Sequence, residues 1–326
     1  METYKLGQTD LEVSPIGLGC WQFSQGQGLV GKYWGNLPQE VTDDIVRISL
    51  AKGVNWFDTA EVYGRGASER SLASALDTAG AKREDYLIAD KWFPAFRFAG
   101  NIAKTFGRRE EALGGRSVDL YQIHQPFSFS SVDHQMDEMA TLHREGRIRA
   151  VGVSNFNEKK MRAAQKRLAE ADIPLAANQM LYSLIDREIE RNGVLDAAKE
   201  LGISIIAYSP LAQGVLTGKF HGEEDIKGKS GPRKHMKRFK PAGLEATRPL
   251  VETLRRIGET HKATPAQIAL AWVVQRHNRL VVAIPGASSV RQAESNAEVL
   301  EIRLSGPELE ELSEAGLEAE ARLKGA

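Results

Sequence analysis

The sequence contains a single cysteine, Cys20, so no intramolecular disulfide can staple it. No stretch approaches the roughly 18 consecutive apolar residues that a membrane helix needs. The opening residues, Met1-Glu-Thr-Tyr-Lys-Leu6, have no basic region leading into a long apolar run, the mark of a secretory leader. Together these absences predict a cytoplasmic protein with no membrane partner. No excess of charge exists either: lysine plus arginine and aspartate plus glutamate both total 43. A net charge of zero excludes a chain whose whole surface grips nucleic acid or anionic lipid. The seven histidines show no His-Glu-x-x-His spacing and have no cysteine partners, so no metal site is expected.

What the chain does have is a 42% hydrophobic content and a regular alternation. Short apolar runs at 16–19, 54–58, 86–90, 118–123, 148–153, 175–178, 203–208 and 281–284 read as strands. Between them, helical spacing appears at 40–51 (Val41, Ile45, Ile48, Ser49), at 68–79 with Ser68 as N-cap, and at 132–145, 158–170 and 188–201. Strand then helix, repeated, with near-continuous apolar strands, predicts an α/β fold, a (β/α)8 TIM barrel forming one domain over residues 1–326. Residues 4–13 read as an N-terminal β-hairpin at the barrel bottom. A C-terminal helix from Ser305 onward, bearing Leu309, Leu312 and Leu317, lies outside the repeat. Two segments, 22–38 and 219–249, read as long loops at the barrel top, where loops build sites.

Gly26-Gln-Gly28-Leu-Val-Gly31 matches a dinucleotide fingerprint in letters only, because Lys-Tyr-Trp-Gly-Asn-Leu-Pro38 follows where a helix must start. A Tyr-x-x-x-Lys pair occurs nowhere. The chemistry instead gathers at strand ends. Asp58 and Tyr63 end the first long run, Lys91 the next and His124 the one after. In a parallel barrel these ends share one rim. A tyrosine has an ordinary pKa of about 10, and a neighbouring ammonium favours its phenolate. A carboxylate keeps that lysine charged, and a histidine can orient a carbonyl oxygen. Such a group protonates a carbonyl while hydride arrives at its carbon.

The chain here resembles the aldo-keto reductases. Asn55-Trp-Phe-Asp58-Thr-Ala-Glu-Val-Tyr63-Gly matches their Asp/Tyr motif, and Lys91 and His124 complete the tetrad. Glu145-Gly-Arg-Ile-Arg-Ala-Val-Gly-Val-Ser154-Asn155-Phe, Asn178-Gln179, Ala207-Tyr208-Ser209-Pro210-Leu211 and Ile284-Pro-Gly286-Ala287 follow in the family's order. The resemblance implies reduction of a small carbonyl substrate with NADP(H), with Tyr63 as general acid. It implies that Ser154, Asn155 and Gln179 bind the nicotinamide amide and that Tyr208 stacks on its ring. The loop Ser209–Gly214, with Leu211 and Gln213, would wrap the pyrophosphate. The segment from Gly286 through Ser288, Arg291, Gln292 and Asn296 would hold the adenosine end. Ser288 stands where relatives often carry Lys or Arg, so NAD(H) is also allowed, and Arg291 is the nearest cation. Trp21, Trp34, Trp92 and Phe127 flank strand ends as candidate substrate walls. Lys227–Lys240, with seven Lys or Arg, is expected to act as a lid near the cofactor phosphates, not as a nucleic-acid clamp. The same fold also occurs in regulatory subunits resembling potassium-channel β-subunits, which bind the cofactor, and this is the alternative reading. Oligomeric state cannot be read from the sequence.

Overall fold

The computed structural model of the protein describes residues 2–28, 35–221, 233 and 235–325. Two short antiparallel strands, β1 (Tyr4–Lys5) and β2 (Glu12–Val13), form the expected hairpin. Eight parallel strands follow, in sequence order around one sheet: β3 (Leu18–Gly19), β4 (Trp56–Asp58), β5 (Leu87–Trp92), β6 (Val118–Ile123), β7 (Ile148–Ser154), β8 (Leu175–Leu181), β9 (Ser204–Tyr208) and β10 (Val281–Ala283). The sheet closes on itself. Ile16 bridges to Ala283 and Gly19 to Gly286, and the Gly17 N–H donates to the Ala283 carbonyl at 2.8 Å. The expected barrel is present.

The helices around it are α1 (Gln39–Ala51), α2 (Ala67–Thr78), α3 (Asn101–Ala112), α4 (Val132–Arg144), α5 (Glu158–Ala169), α6 (Val194–Leu201), α7 (Pro241–His261), α8 (Pro265–Gln275), α9 (Val290–Glu298) and α10 (Gly306–Gly325). Several start at side-chain caps. Ser131, Asn157, Thr264 and Ser289 each accept a backbone N–H from the first turn that follows. α10 lies outside the repeat and packs on α7. It is pinned by Trp272, whose Nε1 donates to the Leu309 carbonyl at 3.1 Å and the Ser313 hydroxyl at 3.0 Å. Leu312 is buried there, whereas Leu317 is exposed.

The two-residue period of a strand decides what fills the barrel. Trp56, Ala89, Leu120, Ala150, Ala177, Ile206 and Val282 point inward as one apolar layer, and Tyr4, Leu6, Leu11 and Val13 of the hairpin pack against them. The hairpin therefore plugs the end where the strands begin. Gly7 sits there at φ +60°, and a Cβ would lie 2.4 Å from the Ala176 carbonyl oxygen, so only glycine lets the turn approach so closely. Two residues further along each strand come Asp58, Lys91, Gln122, Gly152, Gln179 and Tyr208. The same face that starts apolar thus turns polar toward the strand ends.

The structure departs from the sequence reading in four places. Ser68 is not the cap of α2: Gly66 is, in a left-handed conformation, and the Ser68 hydroxyl donates to the Cys20 carbonyl at 2.7 Å. The helix expected at 188–201 is a short turn at Glu188–Glu190 and then α6, because Gly193 at φ +84° breaks the run. The loop expected at 219–249 ends earlier, since α7 begins at Pro241 and contains Pro249. A first-turn proline is compatible with a helix, since its missing N–H has no intrahelical partner there. Finally, α3 and α8 are helices the sequence reading did not include; α3 buries one face through Ile102, Phe106 and Ala112, and α8 is buried nearly all round. Among the described residues, no helix is long and apolar enough to cross a membrane.

Candidate active site

The polar layer is one connected network. Lys91 Nζ donates to Asp58 Oδ1 in a short ion pair and to the Thr59 carbonyl at 2.9 Å. The second carboxylate oxygen of Asp58 accepts from Gln179 Nε2 at 2.9 Å and Gln122 Nε2 at 3.2 Å. All four side chains are buried. Gly152 leaves the room this needs, since a Cβ there would lie 2.9 Å from Gln122 Cγ. Gln122 was missed as a site residue from sequence. The signal was present, because Leu120, Gln122 and His124 alternate on one face of β6.

Tyr63 hangs over this base from the loop after β4. The Lys91 ammonium lies 5.1 Å from its ring centroid. Trp21 stacks on one side of the ring, 6.0 Å away at 22°, and His124 meets it edge-on at 5.6 Å and 85°. The next residue, Gly64, stands at φ +68°, where a Cβ would lie 2.4 Å from the Ser24 carbonyl oxygen. Glycine therefore lets the Tyr63 turn close on the turn that carries Trp21. The four tetrad residues are brought together as expected.

Their electrostatics differ in one respect from the sequence reading. Burial raises the Tyr63 phenol above its ordinary value, Lys91 works against that, and Asp58 adds to it. The net shift is upward, so burial outweighs the ammonium and the resting phenol keeps its proton. Burial opposes the Lys91 charge, but Asp58 and Tyr63 together hold its affinity for the proton above normal. His124 is pushed well below its ordinary value by burial and by Lys91, so its ring is neutral. Its Nδ1 is buried without a partner among the described residues.

The candidate amide-binding residues form a chain beside the tetrad. Tyr208 OH donates to Asn155 Oδ1 at 2.9 Å, and Asn155 Nδ2 donates to Ser154 Oγ at 3.0 Å and to the His124 carbonyl at 3.4 Å. Ser154 Oγ in turn donates to the Gln179 carbonyl at 3.0 Å. After β9, Ser209, Ala212, Gln213 and Gly214 all take positive φ. Each non-glycine residue held so costs about 1–2 kcal/mol, a strain concentrated at binding turns. Gln213 Oε1 is buried there with no partner among the described residues. Further on, Ser288 donates through both N and Oγ to Gln292 Oε1, at 2.8 and 3.0 Å, and Asn296 Nδ2 donates to the Gly286 carbonyl at 3.4 Å. Arg291 is exposed, and its side chain makes no ion pair or hydrogen bond among the described residues.

The substrate walls fare less evenly. Trp21 and Phe127 stand at the rim, the latter 53% exposed. Phe93, missed from sequence, links the two ends: its ring lies 5.6 Å from His124 and 6.1 Å from Phe127. Trp92 is a correction. It is fully buried, facing the helices, because strand alternation sends it outward when Lys91 points inward. Trp34 lies outside the described residues, as do 227–232 and 234 of the segment Lys227–Lys240. In the described part of that segment Arg238 forms a bidentate pair with Asp186, at 2.7 and 2.9 Å, and Phe239 is buried against Phe220. Those two residues are structural anchors.

A second charged network lies behind β5. Arg109 is 3.0 Å from Glu61 and 2.9 Å from Glu69, and Arg97 also pairs with Glu61. Burial, with Asp90 adding its charge and a hydrogen bond, pushes the Glu69 carboxyl up to about 9. Glu69 Oε2 and Asp90 Oδ2 find no donor among the described residues, and a proton on Glu69 supplies one. The folded protein thus holds a proton that the unfolded chain releases above about 4.5. Stability from this group is complete below that value and is lost as pH rises toward about 9. Glu69→Gln is therefore expected to gain on the wild type as pH increases, by up to about 1.4 kcal/mol per pH unit. Urea unfolding at about pH 5 and about pH 8.5 checks this; an advantage that does not grow with pH assigns the proton elsewhere.

Polar groups crowding the strand ends of a closed parallel barrel are the arrangement of a barrel enzyme. Similarity to known proteins identifies which kind. A sequence profile described as the Aldo/keto reductase family matches residues 15–316. An uncharacterized oxidoreductase of Mycobacterium bovis is 39% identical over 307 residues, covering 93% of this chain and 90% of that protein. The crystallised glycerol dehydrogenase of Gluconobacter oxydans superposes with a TM-score of 0.81 at 26% identity, covering 96% of this chain and 94% of that one. An aldo-keto reductase from Klebsiella pneumoniae in complex with NADPH gives a TM-score of 0.73 at 25% identity, over 96% and 95% of the two chains. The chain belongs to the aldo-keto reductase family and is an oxidoreductase.

Proposed function

We propose that the protein reduces aldehydes or ketones to alcohols with NADPH, in the cytoplasm and as one domain over residues 1–326, with Tyr63 as the proton donor. One observation carries this reading: the buried Lys91–Asp58 pair lies directly beneath a protonated Tyr63, with a neutral His124 at the ring edge.

The residues fit the cofactor. Four left-handed residues, Ser209, Ala212, Gln213 and Gly214, concentrate strain in the turn after β9, and Gln213 Oε1 is a buried acceptor without a donor among the described residues. Ser154, Asn155 and Gln179 offer both donors and acceptors for an amide, with Tyr208 beside them. Leu211 and Gly214 belong to the turn that would wrap the pyrophosphate. Gly286, Ser288, Gln292 and Asn296 would hold the adenosine end at the start of α9. The cofactor supplies hydride to the carbonyl carbon. Tyr63 gives its proton to the carbonyl oxygen, and Lys91 stabilises the phenolate left behind. Asp58 keeps Lys91 charged, while Gln122 and Gln179 hold the carboxylate in place. Neutral His124 can donate one hydrogen bond to the carbonyl oxygen and so orient it. Trp21, Phe93 and Phe127 make an aromatic surround suited to aromatic or apolar carbonyl compounds.

Fluorescence titration with NADPH and NADH tests cofactor choice, followed by an absorbance screen over aldehydes, ketones and sugars. Arg291 is the free cation nearest the expected 2′-phosphate. Arg291→Ala is expected to weaken NADPH about three- to fivefold and leave NADH unchanged, the size of an exposed ion pair. Equal losses for both place Arg291 away from that phosphate.

A further inference from the structure

On the shoulder of the barrel, between the Tyr63 loop and α3, a cavity of about 460 Å³ is lined by Arg65, Arg97, Arg108, Arg109, Glu61 and Phe93. Its charges do not balance. Glu61 is the only carboxylate in that wall, and both its oxygens are engaged by Arg97 and Arg109, with the Phe93 N–H adding a third contact at 2.6 Å. The nearby Glu69 holds a proton at neutral pH and neutralises nothing. Arg97 is fully committed, donating also to the Phe93 carbonyl at 2.9 Å and Thr105 Oγ1 at 3.0 Å. Arg65 and Arg108 are exposed, and their side chains make no ion pair or hydrogen bond among the described residues. Arg65 is held at φ +54° between Gly64 and Gly66, in the turn that closes on Ser24.

Four guanidinium groups share two carboxylates, Glu61 in the wall and Asp90 behind Arg109, and the pair left free opens onto the cavity. We propose that this cavity binds a small anion, a carboxylate or phosphate group, held by Arg65 and Arg108 with Arg109 at its inner wall. Planar guanidinium forks suit both groups and bind them in pairs of hydrogen bonds. Arg97 and Glu61 act as positioning residues that fix the wall.

The cavity shares Phe93 with the catalytic site, where that ring lies 5.6 Å from His124. Val62, another lining residue, directly precedes Tyr63. The anion can therefore be the far end of the carbonyl substrate, which rests on the proposed reduction, or a separate metabolite, which does not.

The test uses NADPH-saturated protein, so that the cofactor's own phosphate positions are filled; NADPH binding is followed separately by fluorescence. Inorganic phosphate and citrate are titrated by calorimetry into the wild type and into the Arg65→Ala/Arg108→Ala variant. Saturable binding that weakens by about tenfold or more in the variant is expected. Benzaldehyde and para-carboxybenzaldehyde then separate the sources. If the substrate carries the anion, the variant raises the KM for the carboxylated compound about tenfold relative to benzaldehyde, with little change in kcat, and phosphate competes with it. If a separate metabolite carries it, that KM ratio stays constant and phosphate binds equally well beside either aldehyde. No saturable phosphate or citrate binding, or binding undiminished in the variant, overturns the assignment. Failure to bind NADPH would instead overturn the proposed function and leave the anion result standing.

Discussion

Tyr63→Phe is expected to bind NADPH as the wild type does and to lose turnover by about 10²- to 10⁴-fold, the usual contribution of a positioned general acid. The substitution removes one oxygen atom and leaves the ring that stacks on Trp21 and meets His124. It also leaves the Lys91–Asp58 pair intact, so the fold loses little. A drop in kcat with cofactor affinity preserved therefore reports proton donation alone. The high affinity of Tyr63 for its proton adds a pH signature: the phenol stays protonated throughout the neutral range. His124 stays neutral across the same range, because burial and Lys91 depress it. The wild-type kcat profile should then show no break near the ordinary histidine value of about 6.5. Undiminished turnover in Tyr63→Phe would place the proton donor elsewhere.

The second large effect concerns the base of the site. Lys91→Met is expected to destabilise the protein by about 3–5 kcal/mol, because it strands the buried Asp58 carboxylate with only the Gln122 and Gln179 amides. Removing both charges is a different matter. The double variant Asp58→Asn/Lys91→Met should recover much of that stability, since the uncompensated charge is gone. It should recover none of the turnover, because nothing then stabilises a Tyr63 phenolate. Urea unfolding of the two variants beside kinetics on folded protein separates these effects. A single Lys91→Met variant as stable as the wild type would mean that the pair contributes nothing to the fold.

The barrel was legible because apolar strands punctuated by helical spacing repeat along nearly the whole chain. The tetrad was legible because each member sits at the end of such a strand or in the turn that follows it. Side-chain direction was less so: Trp92 follows Lys91 in sequence but points to the opposite face, and reading β5 by its two-residue period would have placed it correctly. Gln122 could have been found in the same way. The network of Glu61, Glu69, Asp90, Arg97 and Arg109 could not, because its members come from three separate segments that look like ordinary surface charge until the fold stacks them. The same holds for the cavity they border. Helices α3 and α8 were missed for opposite reasons: in α3 the buried stripe of Ile102, Phe106 and Ala112 includes the polar Thr105 and Arg109, while α8 is apolar nearly all round and shows no stripe.

The most direct measurement mixes NADPH-loaded wild-type protein with an aromatic aldehyde in a single turnover. Reduced-nicotinamide absorbance is followed together with alcohol formed. Stoichiometric loss of the reduced cofactor and gain of alcohol, both slowed by about 10²-fold or more in Tyr63→Phe, is the required result. A protein that holds NADPH tightly yet consumes none with any aldehyde, ketone or sugar would contradict catalytic carbonyl reduction at this site.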